Sequence, residues 1–186
     1  LYLIDKIIYL KKEKKKDDRT GRYKKSETLI FPRYHQFNAV RKLVNDIKIN
    51  ETSRNYLIEH SAGSGKTNTI AWLSYRLASL HNLKDEIIFD TICVITDRIV
   101  VDRQLQDAVL GLEHKEGLIK VMDDKCTSHD LAVALNGNTK IIVTTIHKFM
   151  YIKDIIENSK GKKFAIIIDE AHSSTSGTAM ESVSYA

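Results

Sequence analysis

The chain has 186 residues and a formal net charge of +5, with 42% hydrophobic and 28% charged residues. That balance excludes an intrinsically disordered chain, and no apolar run approaches the roughly 20 residues that a membrane-spanning helix needs. Two cysteines, Cys93 and Cys126, are too few for a disulfide framework and lack metal-like spacing, which fits a reducing, cytoplasmic setting.

Leu1 stands where an initiator methionine would, which suggests a segment of a longer polypeptide. Residues 1–28 read as a boundary: a short apolar element, then a charged run around Gly21 without apolar periodicity. Between Lys11 and Lys25, nine Lys/Arg face three Asp/Glu, a local excess of six positive charges. The rest of the chain is therefore close to neutral. The run is expected to be a solvated basic linker, with a phosphate-tracking patch as the alternative.

Thr28–Pro32 reads as an extended entry, because Pro32 biases Phe31 away from helix. Phe37, Val40, Leu43, Val44 and Ile47 then share one face of a helix reaching about Lys48. Asn55–Glu59 is expected as a short strand and Lys66–Leu80 as a helix with Ile70, Leu73, Leu77 and Leu80 inward. Thr91–Thr96 is a strand, Val100–Leu110 a helix and Leu118–Met122 a weaker strand. A short helix around His129–Leu135 is expected to stop at Gly137 by a positive φ. Lys140–Thr145 is a strand, Ile146–Asn158 a helix and Phe164–Ile168 a last strand. The strands TICVIT, IIVTT and FAIII are almost continuously apolar, as parallel strands covered on both faces are. Helices alternating with such strands predict a mostly parallel α/β sheet.

Between the expected strand at Asn55–Glu59 and the helix at Lys66 lies Ser61-Ala62-Gly63-Ser64-Gly65-Lys66-Thr67. The two glycines let the backbone curl so that successive N–H groups converge on phosphate oxygens. The helix N-terminus adds its positive dipole. Lys66 supplies a charge for terminal phosphates and Thr67 a hydroxyl for Mg²⁺. His60 occupies the position of the first glycine in the usual G-x-x-x-x-G-K-[ST] pattern, and Gly63 offers a flexible point in its place.

Asp169 and Glu170 directly follow the last apolar strand, at the carboxyl edge where open parallel sheets bind ligands. One carboxylate there can hold the metal touched by Thr67, and its neighbour can orient or deprotonate a water. His172 is a candidate link between that hydrolytic pair and a neighbouring segment.

The phosphate loop with Asp169-Glu170-Ala171-His172 resembles the DEAH-box branch of superfamily-two helicases and translocases. Five segments in order narrow the likeness: FPRYHQFNAVRKL (31–43), HSAGSGKTNTIAWL (60–73), VITDRIVVDRQL (94–105), VTTIHKF (143–149) and IIIDEAHSSTSG (166–177). Together they resemble the restriction (motor) subunit of type I restriction–modification enzymes, from about Leu29 to Gly177. The resemblance implies a P-loop, RecA-like fold, with 1–28 as a linker from a preceding domain and 29–186 as the first ATPase lobe. It also implies that the lobe stops before its next core strand.

The likeness implies ATP and Mg²⁺ as cofactors, with Gln36 reading the adenine. Thr96, Arg98, Thr144, Thr145 and Lys148 would lie along duplex DNA. It further implies a nuclease domain and second RecA-like lobe elsewhere in the parent chain, and methyltransferase and specificity subunits as partners. Two alternatives stay open: a strand-separating DEAH-type helicase, and a DNA-docking or assembly module that does not hydrolyse nucleotide.

Overall fold

The computed structural model describes residues 8–16, 23–51, 54–96, 103–112, 117–123, 125–150 and 161–170. Four parallel strands form its centre: β3 (Thr91–Thr96), β4 (Ile119–Val121), β5 (Ile141–Thr145) and β6 (Phe164–Ile168), in the order β4-β5-β3-β6. The register sets Ile92 beside Ile141 on one flank of β3 and beside Ala165 on the other. Two cores show why these strands are apolar throughout. Ile92, Val94, Ile141 and Val143 join the core under α1 (Tyr34–Asn50), α2 (Lys66–Ala78) and α3 (Arg103–Leu110). Cys93, Ile95 and Ile142 join the opposite core with Leu131 and Leu135 of α4 (Ser128–Asn136) and Ile146 of α5 (Ile146–Met150). Alternate residues of each strand thus meet helices on both faces. The architecture is the expected α/β one, a RecA-like P-loop sheet in three layers.

Helix α1 buries Val40, Val44 and Ile47 as its spacing predicts. In α2 a single apolar stripe is not enough: Ala71, Trp72, Leu73, Ser74 and Leu77 are all buried, because α1, α3 and the sheet enclose it on several sides. Ser74 tolerates this by donating its hydroxyl to the Ile70 carbonyl at 2.8 Å. Burial pushes the Cys93 thiol up to about 12, so it is an inert core residue. Among the described residues no helix is long and apolar enough to cross a membrane.

Three local expectations differ from the structure. Residues 54–60 form no ladder, and Tyr56 and Leu57 are exposed; no described strand lies beside them to pair with. Helix α4 does end at Gly137, but with φ −79° rather than a positive value. Its last carbonyls are satisfied from the segment just before β6: Lys162 Nζ donates to Leu135 O, Asn136 O and Gly137 O at 3.0, 2.8 and 2.7 Å. A cation there also opposes the negative end of the helix dipole.

The third difference is the basic run. Where a solvated loop was expected, β1 (Tyr9–Lys16) and β2 (Tyr23–Ile30) pair as an antiparallel hairpin, Tyr9 opposite Ile30 and Lys16 opposite Tyr23. Tyr9 anchors its base, buried in the core with its hydroxyl donating to Asn68 Oδ1 at 3.1 Å. The helix expected over Ile146–Asn158 is described as α5 to Met150; the remainder lies outside the described residues.

Candidate nucleotide site

The loop between His60 and Lys66 takes its shape from two left-handed residues, Gly63 at φ 72° and Gly65 at φ 89°. A turn closes it through Ser64 N–H donating to Ser61 O at 3.2 Å, with Ala62 and Gly63 in the bend. Gly65 is the N-cap of α2, so the first backbone N–H groups of that helix open toward the loop. The close approach around Gly65 admits no side chain: a Cβ there would lie 2.4 Å from Gln36 Nε2. At Gly63 nothing comes within 4 Å, and only the backbone conformation calls for glycine.

The first turn of α1 grips this loop from outside. The buried Gln36 amide donates to Ser64 O at 3.2 Å and to Gly65 O at 2.9 Å, while its Oε1 accepts from Arg33 N–H at 2.8 Å. His35 Nε2 donates to the same Ser64 carbonyl at 3.2 Å. His60 Nδ1 and Ser64 Oγ share a hydrogen bond of 3.1 Å, and the two imidazoles lie 5.6 Å apart. Desolvation, followed by the charges of His35 and Lys66, holds His60 below the usual histidine range. A shallow depression of about 270 Å³ lies on this side, lined by His35, Ala39, Ile58, Glu59, His60, Ser61 and Ser64. The amide of Gln36 was legible in the sequence. His35, Ala39 and Ile58 were not, and no local signal marks them apart from proximity to Gln36 and to the loop.

On the opposite side the loop meets the carboxyl edge of the sheet. Asp169 N–H donates to Ile95 O at 2.9 Å, carrying the β3–β6 ladder one residue past β6. The chain then turns sharply: Glu170 has φ 53° and its N–H donates to Asp169 Oδ1 at 3.0 Å. A non-glycine residue held left-handed is a local strain of the kind that gathers at functional sites. The turn carries the Glu170 carboxylate to 2.7 Å from Lys66 Nζ. That hydrogen bond, opposed by slight desolvation and aided by the charges of Glu170 and Asp169, raises the Lys66 pKa above its ordinary value. Thr67 follows on the first turn of α2.

The residues expected along DNA are placed differently from one another. Thr96, Thr144 and Thr145 are buried at the ends of β3 and β5, and the hydroxyls of Thr96 and Thr144 do not reach the surface. Lys148 donates its ammonium to Met122 O at 3.2 Å and to Asp123 O, pinning the segment after β4. Arg98 and His172 lie outside the described residues.

Residues 35–186 match the SWI2/SNF2 ATPase family. A Methanocaldococcus jannaschii protein named for a type I restriction enzyme endonuclease subunit is 30% identical over 182 aligned residues, covering 86% of this chain and 17% of its own. A type I restriction enzyme endonuclease subunit of Staphylococcus aureus is 29% identical over 154 residues, covering 80% of this chain and 15% of its own. The chain therefore spans about a sixth of the length of the curated relatives it matches.

Proposed function

The chain belongs to the SWI2/SNF2 ATPase family, and on that premise we propose that it is the first RecA-like lobe of the ATP-driven duplex-DNA translocase in a type I restriction enzyme. The reading rests on one contact above all, the 2.7 Å approach of Lys66 and Glu170, which joins phosphate loop and acidic pair at one sheet edge. The much longer relatives, named as restriction endonuclease subunits, support a parent chain with a second lobe and a nuclease domain. They also support methyltransferase and specificity subunits as its partners.

The residues fit a nucleoside triphosphate with magnesium. Gly63 and Gly65 curl the loop through left-handed backbone, the N-terminus of α2 opens onto it, and Lys66 is the first residue of that helix. Thr67 and Asp169 are a hydroxyl and a carboxylate of the hard-oxygen type magnesium takes. Among the described residues no group of three or more His, Cys, Asp or Glu gathers to cage a metal, so the ion would draw its other ligands from phosphate and water. Bound there, it would neutralise charge developing on the phosphates.

The chain's own part follows from the geometry. Lys66 would leave Glu170 for a phosphate oxygen, and that exchange would free the Glu170 carboxylate. Glu170 Oε1 would then accept a hydrogen bond from the attacking water and take its proton. Gln36 and His35 would hold the loop carbonyls while phosphate arrives; with both amide hydrogens given to Ser64 O and Gly65 O, Gln36 would read an adenine only through the second lone pair of Oε1. On the DNA side, Arg98 and Lys148 carry the charge, whereas Thr96, Thr144 and Thr145 would touch phosphate only after the edge opens.

Hydrolysis of ATP by the full-length subunit, with and without duplex DNA, tests the reading. Duplex-stimulated turnover that disappears in Lys66→Ala is the expected result. No turnover, with methyltransferase and specificity subunits supplied, would hand the chain to the docking-module reading. Displacement of a third strand without separation of the duplex distinguishes a translocase from a strand-separating helicase.

A further inference from the structure

Ser64, in the middle of the phosphate loop, is held at every polar atom. Its N–H donates to Ser61 O at 3.2 Å, and its carbonyl accepts from Gln36 Nε2 and His35 Nε2, each at 3.2 Å. Its hydroxyl meets His60 Nδ1 at 3.1 Å. The bonds to backbone atoms have a fixed direction, since an amide N–H only donates and a carbonyl only accepts. The hydroxyl and the imidazole nitrogen can exchange roles. When Nδ1 is bare, the Ser64 O–H is spent on the ring, and Oγ offers only lone pairs to anything else. When Nδ1 carries a proton, it donates to Oγ and the hydroxyl proton is released to another acceptor. His60 stands where the usual loop has a glycine, so the loop backbone gives no reason for an imidazole there.

The surroundings set which form prevails. His35, on the first turn of α1, faces His60 with ring centroids 5.6 Å apart. Lys66 of α2 acts on it by charge, and Glu59 lines the same depression. In the free site desolvation comes first, then the charges of His35 and Lys66, and all three favour the neutral ring. The phosphates of a nucleotide reverse that balance, because nearby negative charge favours the protonated imidazole.

We propose that His60 is a positioning residue for the nucleotide: when phosphate enters the loop, Nδ1 takes one proton from solvent and turns the Ser64 hydroxyl to donate to a phosphate oxygen. The proton returns to water when the nucleotide leaves, and no other bond is made or broken. The inference rests on the nucleotide reading above. Its sign follows from linkage: the bound state holds the proton more tightly, so nucleotide affinity grows as pH falls through the bound-state value and levels off below the free one.

The test is calorimetry of the full-length protein with the magnesium complex of β,γ-imido ATP, in buffers of different ionisation enthalpy near neutral pH. His60→Asn is the reference, because its amide can still bond to Ser64 Oγ but does not titrate. Titration of the ligand's own phosphates cancels between the two proteins. The wild type should take up about half a proton more than the variant, and from about pH 8 to about pH 6 its affinity should rise about threefold to tenfold relative to it. Ser64→Ala should remove at least about half of that extra uptake, whereas His35→Gln should keep it. Full uptake in Ser64→Ala would mean that the ring answers phosphate without the hydroxyl, and loss of uptake in His35→Gln would move the proton to the other ring; either overturns the proposal. Equal uptake by wild type and His60→Asn, with nucleotide bound by both, overturns it too and leaves the nucleotide site standing. A wild type that binds no nucleotide overturns both.

Discussion

Lys66 Nζ and Glu170 Oε1 lie 2.7 Å apart although 104 residues separate them in the chain. Their side chains are 37% and 40% exposed, so water screens the pair and it adds little to folding stability. Its value is positional: it registers the phosphate loop against the sheet edge. Replacing Lys66 by alanine should therefore leave the fold intact and lower turnover by about a hundredfold or more. Circular dichroism and steady-state hydrolysis check the two halves of that statement.

Glu170→Gln keeps the shape of the side chain and removes its basicity. It should bind ATP at least as tightly as the wild type, since Lys66 loses a charged competitor, and yet fail to hydrolyse it. Normal phosphate release from this variant would refute the water-activating role. Glu170 also sits at φ 53°, so Glu170→Val should cost stability as well, because a β-branched residue resists the left-handed region.

The two loop glycines predict opposite severities. At Gly65 an added Cβ meets the Gln36 amide at 2.4 Å. Gly65→Ala should lower nucleotide affinity at least about tenfold through steric conflict and a strained φ. At Gly63 the space is open, so Gly63→Ala should cost about 1–2 kcal/mol of backbone strain with a smaller loss of affinity. Adding Gln36→Ala to Gly65→Ala relieves the clash and should recover part of the affinity, which a double-mutant cycle by calorimetry would measure.

Lys162, just before β6, closes α4 by giving its ammonium to three carbonyls. Lys162→Met should destabilise the protein by about 1–2 kcal/mol. Urea unfolding would report that loss, and hydrogen exchange should accelerate at the end of α4 first.

His60 gives a pH dependence of defined sign. Its folded-state pKa is lowered, by desolvation first and then by His35 and Lys66. The folded state therefore prefers the neutral ring. Its contribution to stability is complete above the ordinary histidine value of about 6.5 and is lost as pH falls through the lowered folded value. The melting temperature should drop on acidification from pH 7 toward 5, and His60→Gln should flatten that drop.

Much of the fold could be read from the residues, and the reason is local. TICVIT and FAIII are bounded exactly as strands β3 and β6 are, because a strand covered on both faces has no room for a polar interruption. The start of α2 at Lys66 was legible because Gly65 takes the left-handed conformation just before it. Gly63, Gly65, Lys66, Thr67, Asp169 and Glu170 carry the proposed phosphate site, and residue type and spacing alone single them out.

What failed was whatever depended on a neighbour remote in sequence. Asn55–Glu59 has strand composition, but a strand needs a paired edge, and none is described beside it. The lysine run has the composition of a linker, yet register and the anchoring of Tyr9 make it a hairpin. Gly137 looked like a left-handed helix stop, while the carbonyls it exposes are met by Lys162.

The sequence by itself determined the layered α/β sheet and the chemical inventory of the site, since apolar periodicity and backbone demands act over a few residues. Only the tertiary structure decided that Gln36 and His35 grip the loop, that Lys66 meets Glu170, and that Thr144 and Thr145 are buried. Those outcomes depend on how helices settle against the two faces of the sheet, and short-range pattern does not encode the distances that packing creates.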